Sequence, residues 1–129
     1  MGGLIVKKNK ILICQRSSDN EHPLKWEFPG GKVKKKEKPH QALKRELNEE
    51  LKITIEHPTY LCDYMFEYQD LGKKVNLFFF LINEYSGEIS NTVHNQLKWI
   101  EIKQLSDYDF LEGDYEIIKK ILKNDLKII

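Results

Sequence analysis

Three carboxylates, Glu46, Glu49 and Glu50, stand at i, i+3 and i+4. On a helix this spacing puts all three on one face, where like charges repel and weaken the helix unless a cation compensates. A tight set of hard oxygen donors is how proteins hold Mg²⁺ or Mn²⁺ beside a phosphate chain. Taken alone, the three glutamates fit a solvated acidic stripe better. Their surroundings shift that balance. Trp26-Glu27-Phe28-Pro29-Gly30-Gly31 precedes them, Glu37 follows Gly31 by six positions, and Arg45 directly precedes Glu46.

The segment 31–53 resembles the Nudix box, Gly-x5-Glu-x7-Arg-Glu-U-x-Glu-Glu-x-Gly-U, with U a bulky aliphatic residue. Gly31, Glu37, Arg45, Glu46, Leu47, Glu49, Glu50 and Ile53 match; the late glycine is replaced by Lys52. The resemblance implies an α/β fold, the Nudix α/β/α sandwich with a mixed sheet between helices, as a single domain over 1–129. It implies hydrolysis of a nucleoside diphosphate linked to a group X, assisted by Mg²⁺ with Mn²⁺ as a substitute. For the MutT-type branch the reaction is (d)NTP plus water to (d)NMP plus pyrophosphate, in sanitation of the nucleotide pool (8-oxo-dGTP or a cytidine-type nucleotide). By the same resemblance Glu49 and Glu50 are metal ligands, Glu46 is a ligand or the base, the Gly31 carbonyl completes the set, and Glu37 supports it.

Arginine usage adds a second signal. The chain has 19 Lys but only Arg16 and Arg45, so the exceptions mark places that need a planar, five-donor fork. Arg45 is expected to bridge Glu37 and the helix carboxylates. In MutT-type proteins an Arg at the end of the second strand contacts nucleotide, which makes Arg16 a candidate; Glu27 and Phe28, just before the glycine pair, join it. Asp114 precedes the last helix, where relatives read the base edge, although Asp there is also the ordinary N-cap. As an acceptor-only group it favours an exocyclic amine such as that of cytosine. Phe78, with Phe80 and Tyr68, could stack a base, yet aromatics at strand spacing more often build core. Lys73 and His22 sit in loops that could flank the pocket. MutT-type relatives carry Glu-His-x4-Trp; His94 and Trp99 match, and Val93 stands at the acidic position. His94 is a possible base, or else a packing residue.

The elements that must hold these residues follow from patterning. Gly3–Lys7 and Lys10–Arg16 are apolar runs around a Lys8-Asn9 turn, a hairpin signal. Ser17–Lys25 reads as loop and Trp26–Phe28 as a short strand. Pro39 suits the first helical position, opening a helix to about Leu51 with Ala42, Leu43, Leu47 and Leu51 as its apolar stripe. Strands are expected at Ile53–Glu56, Tyr60–Tyr68, Lys74–Asn83 and Leu97–Glu101, then a helix over Tyr115–Leu126.

Composition excludes several classes. A net charge of +1 over 129 residues gives no field that would select nucleic acid; Lys34-Lys35-Lys36 is the one charge run, a solvated loop or an attraction for polyphosphate. No stretch reads as a membrane span or a signal peptide. Cys14 and Cys62 lie in apolar contexts without metal-ligand spacing and suggest buried thiols in a reducing cytoplasm. A small-molecule nucleotide is the expected partner, with no membrane or nucleic acid, and the chain a monomer or homodimer. Against MutT-type proteins the N-terminus looks short, which points to a start upstream of Met1 or a trimmed chain. Two other readings stay open: a Nudix hydrolase of another X (nucleotide sugar, dinucleotide polyphosphate, RNA 5′ end) and a non-catalytic Nudix-fold nucleotide-binding module.

Overall fold

The computed structural model describes residues 1–69 and 72–128. Strands β1 (Gly2–Lys7) and β2 (Lys10–Gln15) form the expected hairpin. Lys8 and Asn9 both take positive φ, 52° and 64°, the backbone of a type I′ turn, whose twist matches that of the flanking strands. Beyond Val6 and Ile11 the two strands diverge. β1 runs parallel to β5 (Lys73–Ile82), which pairs antiparallel with β4 (Thr59–Tyr68). β2 pairs instead with the short β3 (Trp26–Glu27) and, along its whole length, with β6 (Gln96–Glu101). The result is one mixed six-stranded sheet with helices packed on both faces.

Helix α1 (Pro39–Leu51) begins with Pro39 in its first turn, and the Gln41 side chain accepts a hydrogen bond from the Lys38 N–H at 2.9 Å. Its stripe of Ala42, Leu43, Leu47 and Leu51 is fully buried against Ile5, Leu12, Phe80 and Ile82. Each buried leucine contributes roughly 1.5–3 kcal/mol. That burial turns the opposite face of α1, with its carboxylates, away from the sheet. The helix ends on Lys52 in the left-handed conformation, φ 62° and ψ 29°, the position the sequence motif reserves for glycine. On the other face, α2 (Tyr115–Leu122) packs Ile117, Ile118 and Ile121 into a core with Leu4, Ile13, Phe28, Phe79 and Phe110.

Some expectations need correction. Residues 53–56 form no strand: Ile53 and Ile55 are buried in the α1-side core, and only Thr54 bridges across to Ser86. The partner segment turns away at Gly87, φ 96°, so the alternation is real but the ladder is one pair long. α2 stops at Leu122 rather than Leu126, because Asn124 takes φ 62°, and asparagine in this conformation terminates helices. Two 3₁₀ turns, Ile102–Asp107 and Glu112–Asp114, carry no periodicity that marks them in the sequence. Cys14 is buried but Cys62 only half so, and neither is in a disulfide. Among the described residues no helix is long and apolar enough to cross a membrane.

Candidate active site

Where β1 and β2 part, the chain from Trp26 to Gly31 fills the gap. Gly3 N–H donates to Pro29 O at 2.7 Å, and Gly2 bridges to Gly30. A cavity of about 760 Å³ opens beside this segment. Its lining includes Gly31, Lys32, Glu46 and Glu50, together with Phe28, Leu77, Phe79, Leu111 and Asp114, and Arg16 and Glu27.

The carboxylate side is organised by Arg45. Its Nε and Nη2 donate to the two oxygens of Glu37 at 2.8 and 3.0 Å, Nη1 donates to Glu46 Oε1 at 2.8 Å and to Glu49 Oε2 at 3.5 Å, and Nη2 also reaches Lys32 O at 3.1 Å. All donors of the fork are thereby used, as only arginine permits. The paired guanidinium holds Glu37 down at about 2. Gly31 is a close-approach position: a Cβ there would sit 2.6 Å from the Glu46 carboxyl carbon. The Gly31 carbonyl accepts from the Met1 amino group at 2.8 Å.

Glu50 differs from its neighbours. Burial, then the charges of Glu46, Glu27 and Glu49, push it up to about 8, and its Oε1 is buried without a hydrogen-bond partner. An unpaired buried carboxylate oxygen among other carboxylates is costly unless a cation joins it. Among the described residues no three acidic, histidine or cysteine side chains already converge on one ion-sized point, and Glu49 is directed outward, its side chain 58% exposed. Even so, Glu46, Glu50 and the Gly31 carbonyl offer hard oxygens on a common rim, with Glu49 next to Glu50 on the same helix. This donor set fits a divalent ion of the Mg²⁺ type.

The loop 90–95 closes the cavity near Glu50. Ser90 N–H donates to Leu51 O at 2.9 Å and Thr92 Oγ1 to Glu50 O at 2.9 Å, so the loop satisfies the last carbonyls of α1. It brings Val93 and His94 to the lining. Burial, reinforced by Arg16, lowers the His94 imidazole, so it is neutral at physiological pH.

Across the cavity Arg16 Nη1 pairs with Glu27 Oε1 at 3.1 Å while its Nε donates to Glu21 O at 2.7 Å. Burial raises Glu27, and Arg16 offsets part of this. Asp114, 8% exposed, is the buried charged residue of the core. It does not cap α2: its backbone is helical, φ −91° and ψ −5°, and its side chain makes no cap hydrogen bond. Burial first, then the charge of Glu27, pushes its carboxyl up to about 8, against the pull of the Phe28 backbone N–H. It therefore carries a proton at neutral pH and is not the acceptor-only group expected from sequence.

The structure thus brings Gly31, Glu46, Glu50, Arg16, Glu27, Phe28, Phe78 and Asp114 to one cavity, with Arg45, Glu37 and Glu49 just behind its rim. Lys73, exposed at the start of β5, is not on the lining, although Tyr68 opposite it and Val75 two residues on are. Trp26 is core, edge-on to Tyr108 at 5.2 Å, and Trp99 lies on β6 away from the lining. Sequence reasoning passed over Leu77, Val75 and Leu111. The period-two alternation of Val75, Leu77 and Phe79 was the available signal for the first two.

Comparison with known proteins agrees with this architecture. Residues 2–121 match the NUDIX domain. A protein of Buchnera aphidicola subsp. Schizaphis graminum named 8-oxo-dGTP diphosphatase is 36% identical over 121 residues, covering 94% of this chain and 90% of that one. An Escherichia coli protein named CTP pyrophosphohydrolase is 28% identical over 122 residues, covering 95% and 89%. The crystal structure of a MutT Nudix hydrolase from Burkholderia pseudomallei superposes with a TM-score of 0.83 at 27% identity, covering 93% of this chain and 94% of that one. The chain belongs to the Nudix family of pyrophosphohydrolases. It is accordingly an enzyme rather than a binding module, of a family that uses divalent metals.

Proposed function

We propose that the chain hydrolyses nucleoside and deoxynucleoside triphosphates to the monophosphate and pyrophosphate, with Mg²⁺ as the metal and Mn²⁺ as a substitute. The observation that carries this reading is one cavity lined both by the carboxylates Glu46 and Glu50 and by aromatic and apolar residues together with Asp114; we read the first as a rim and the second as a slot. A triphosphate fits the first and a base the second. The relatives' names, 8-oxo-dGTP diphosphatase and CTP pyrophosphohydrolase, support the same division. Free thiols and a nucleotide pool both suit the cytoplasm.

In this reaction water adds to phosphorus, the P–O bond of the α–β anhydride breaks, and pyrophosphate leaves. Glu46, Glu49, Glu50 and the Gly31 carbonyl would hold a divalent ion, which when bound would supply charge neutralisation and an acidified water. Arg45 fixes the rotamers of Glu37 and Glu46, so the rim does not reorganise as charge develops. The unpaired Glu50 oxygen has capacity to accept a proton or a cation. Arg16, half engaged by Glu27, has Nη2 available for phosphate or ribose oxygen. Phe28 and Leu77 flank the base and exclude water. Because the Asp114 carboxyl keeps its proton, it offers one donor and one acceptor. That pair matches the N3 and amino group of cytosine and equally the O6 and N1–H of a guanine-type base, so the tilt toward cytosine lapses.

A second reading has its own support. Lys32, Lys34, Lys35, Lys36 and Lys38 follow Gly31, and none forms an ion pair among the described residues. A cationic loop beside the rim suits a longer phosphate chain, as in a dinucleotide polyphosphate.

The test is product analysis over common and oxidised NTPs and dNTPs, with Mg²⁺ and with Mn²⁺, beside Glu49→Gln. Metal-dependent monophosphate and pyrophosphate, lost in the variant, is the expected result. Turnover confined to dinucleotide polyphosphates would favour the second reading, and inorganic phosphate with a nucleoside diphosphate as products would contradict both.

A further inference from the structure

A helix leaves its first amide N–H groups without internal partners, and an Asp preceding it normally accepts from the amide two or three residues into the helix. In α2 that role is filled from another element. The Tyr64 hydroxyl, on β4, accepts from Ile117 N–H at 3.3 Å and donates to Gly113 O at 2.6 Å. Tyr64 thus spans the junction that contains Asp114, satisfying the amide Asp114 would otherwise take. Its ring is fixed in turn, stacked on Phe79 with centroids 5.6 Å apart and 27° between planes, with Lys120 Nζ 5.9 Å above it.

The other side of the junction is equally constrained. A Cβ on Gly113 would collide with the Tyr68 hydroxyl and lie 3.0 Å from Leu77 Cδ1. Two tyrosines four positions apart on β4 therefore grip the Gly113-Asp114 peptide, one by hydrogen bonds and one by contact.

We propose that Tyr64 is a positioning residue for base selection: by capping α2 in place of Asp114, it keeps the Asp114 carboxyl turned into the cavity. This rests on the reading of Asp114 as the base-facing group. Without the hydroxyl, Ile117 N–H loses its side-chain acceptor, and the Asp114 carboxyl, three residues earlier at the helix start, is the group that takes such an amide in an ordinary N-cap. A rotation of ψ at Asp114 from its present −5° toward the extended value of an N-cap would bring the carboxyl onto its own helix and out of the slot. One cap replaces another, at the expense of the Phe28 N–H bond to the carboxyl, and the cavity loses its polar end.

The experiment measures kcat/KM for a matched set of pyrimidine and purine triphosphates in the wild type, Tyr64→Phe, Asp114→Asn and Gly113→Ala, with melting temperature as the fold control. Tyr64→Phe is expected to compress the nucleobase ranking by about tenfold, toward the ranking of Asp114→Asn, while kcat on the best substrate changes less than threefold. Gly113→Ala displaces the same junction from the opposite side and is expected to compress the ranking too, which keeps the test informative if Tyr64→Phe does not fold. Carboxyl ¹³C titration of Asp114 gives an independent readout: its midpoint falls in Tyr64→Phe as the carboxyl meets Ile117 N–H. An unchanged ranking in Tyr64→Phe, beside a changed one in Asp114→Asn, overturns the inference and leaves Asp114 as the base reader. An unchanged ranking in Asp114→Asn overturns both.

Discussion

The two sides of the cavity are built differently. The carboxylate rim comes from one continuous stretch, Gly31 to Glu50, in which a loop and a helix turn carry every polar group and Arg45 ties them together. The base side comes from β3, β4, β5 and the Glu112–Asp114 turn, brought together only by folding. In the first, charges are close and a built-in cation bridges Glu37, Glu46 and Glu49 while leaving Glu50 unpaired. In the second, a lone carboxyl is buried so deeply that it keeps its proton. A rim that handles phosphate can be common to many substrates, whereas the slot that reads the base depends on packing that each chain must make for itself.

Substitutions on the rim should cost most and should cost alike for every nucleotide. Glu50→Gln is expected to lower kcat about a thousandfold, the several kcal/mol of charge stabilisation that a divalent ion provides. In metal-free buffer the same variant should melt no lower than the wild type, because it removes a buried carboxyl with an unpartnered oxygen. Arg45→Lys should lose roughly 10- to 100-fold in activity or in apparent metal affinity, since a point charge cannot hold Glu37, Glu46 and the Lys32 carbonyl together.

On the base side the effects are smaller and selective. Asp114→Asn should change the preference among nucleobases by on the order of tenfold, about one hydrogen bond. It also has a signature in stability. Between about pH 4 and pH 8 the native carboxyl keeps a proton that the unfolded chain has released, so wild-type stability falls as pH rises through that window. The Asn variant lacks this contribution, and its melting temperature relative to wild type should climb from pH 5 to pH 8. Thermal melts across that range check the sign.

The smallest effect concerns neither side but the end of α1 that joins them. Lys52 holds φ 62°, which costs a non-glycine residue about 1 kcal/mol. Lys52→Gly should raise the melting temperature by a few degrees or leave it unchanged, with no shift in nucleobase preference; a clear fall would mean that the Lys52 side chain stabilises the helix end.

The same contrast explains what the sequence could reveal. The rim was legible because its residues are close in sequence and their chemistry dictates their spacing: Glu37 and Arg45 lie eight apart and meet as an ion pair, and the α1 stripe follows from helical period alone. Lys52 was legible as a left-handed position because the motif demands one there. Asp114 was visible only as a choice between N-cap and base reader. What decides against capping is Tyr64, fifty residues earlier, and no local pattern links the two. Lys73 shows the same limit: it starts β5 beside the lining residues Tyr68 and Val75, and only the fold decides that its own side chain stays off the lining. Residues 53–56 had the alternation of a strand but not a partner long enough to pair with, which is a property of another segment.

The division of labour across the cavity is tested most directly by measuring kcat/KM for one nucleotide panel in the wild type, Glu50→Gln and Asp114→Asn side by side. The account predicts that Glu50→Gln lowers every member by a common factor and keeps their order, while Asp114→Asn reorders them with little change in the fastest. A reordering by Glu50→Gln, or a uniform loss in Asp114→Asn, would contradict it.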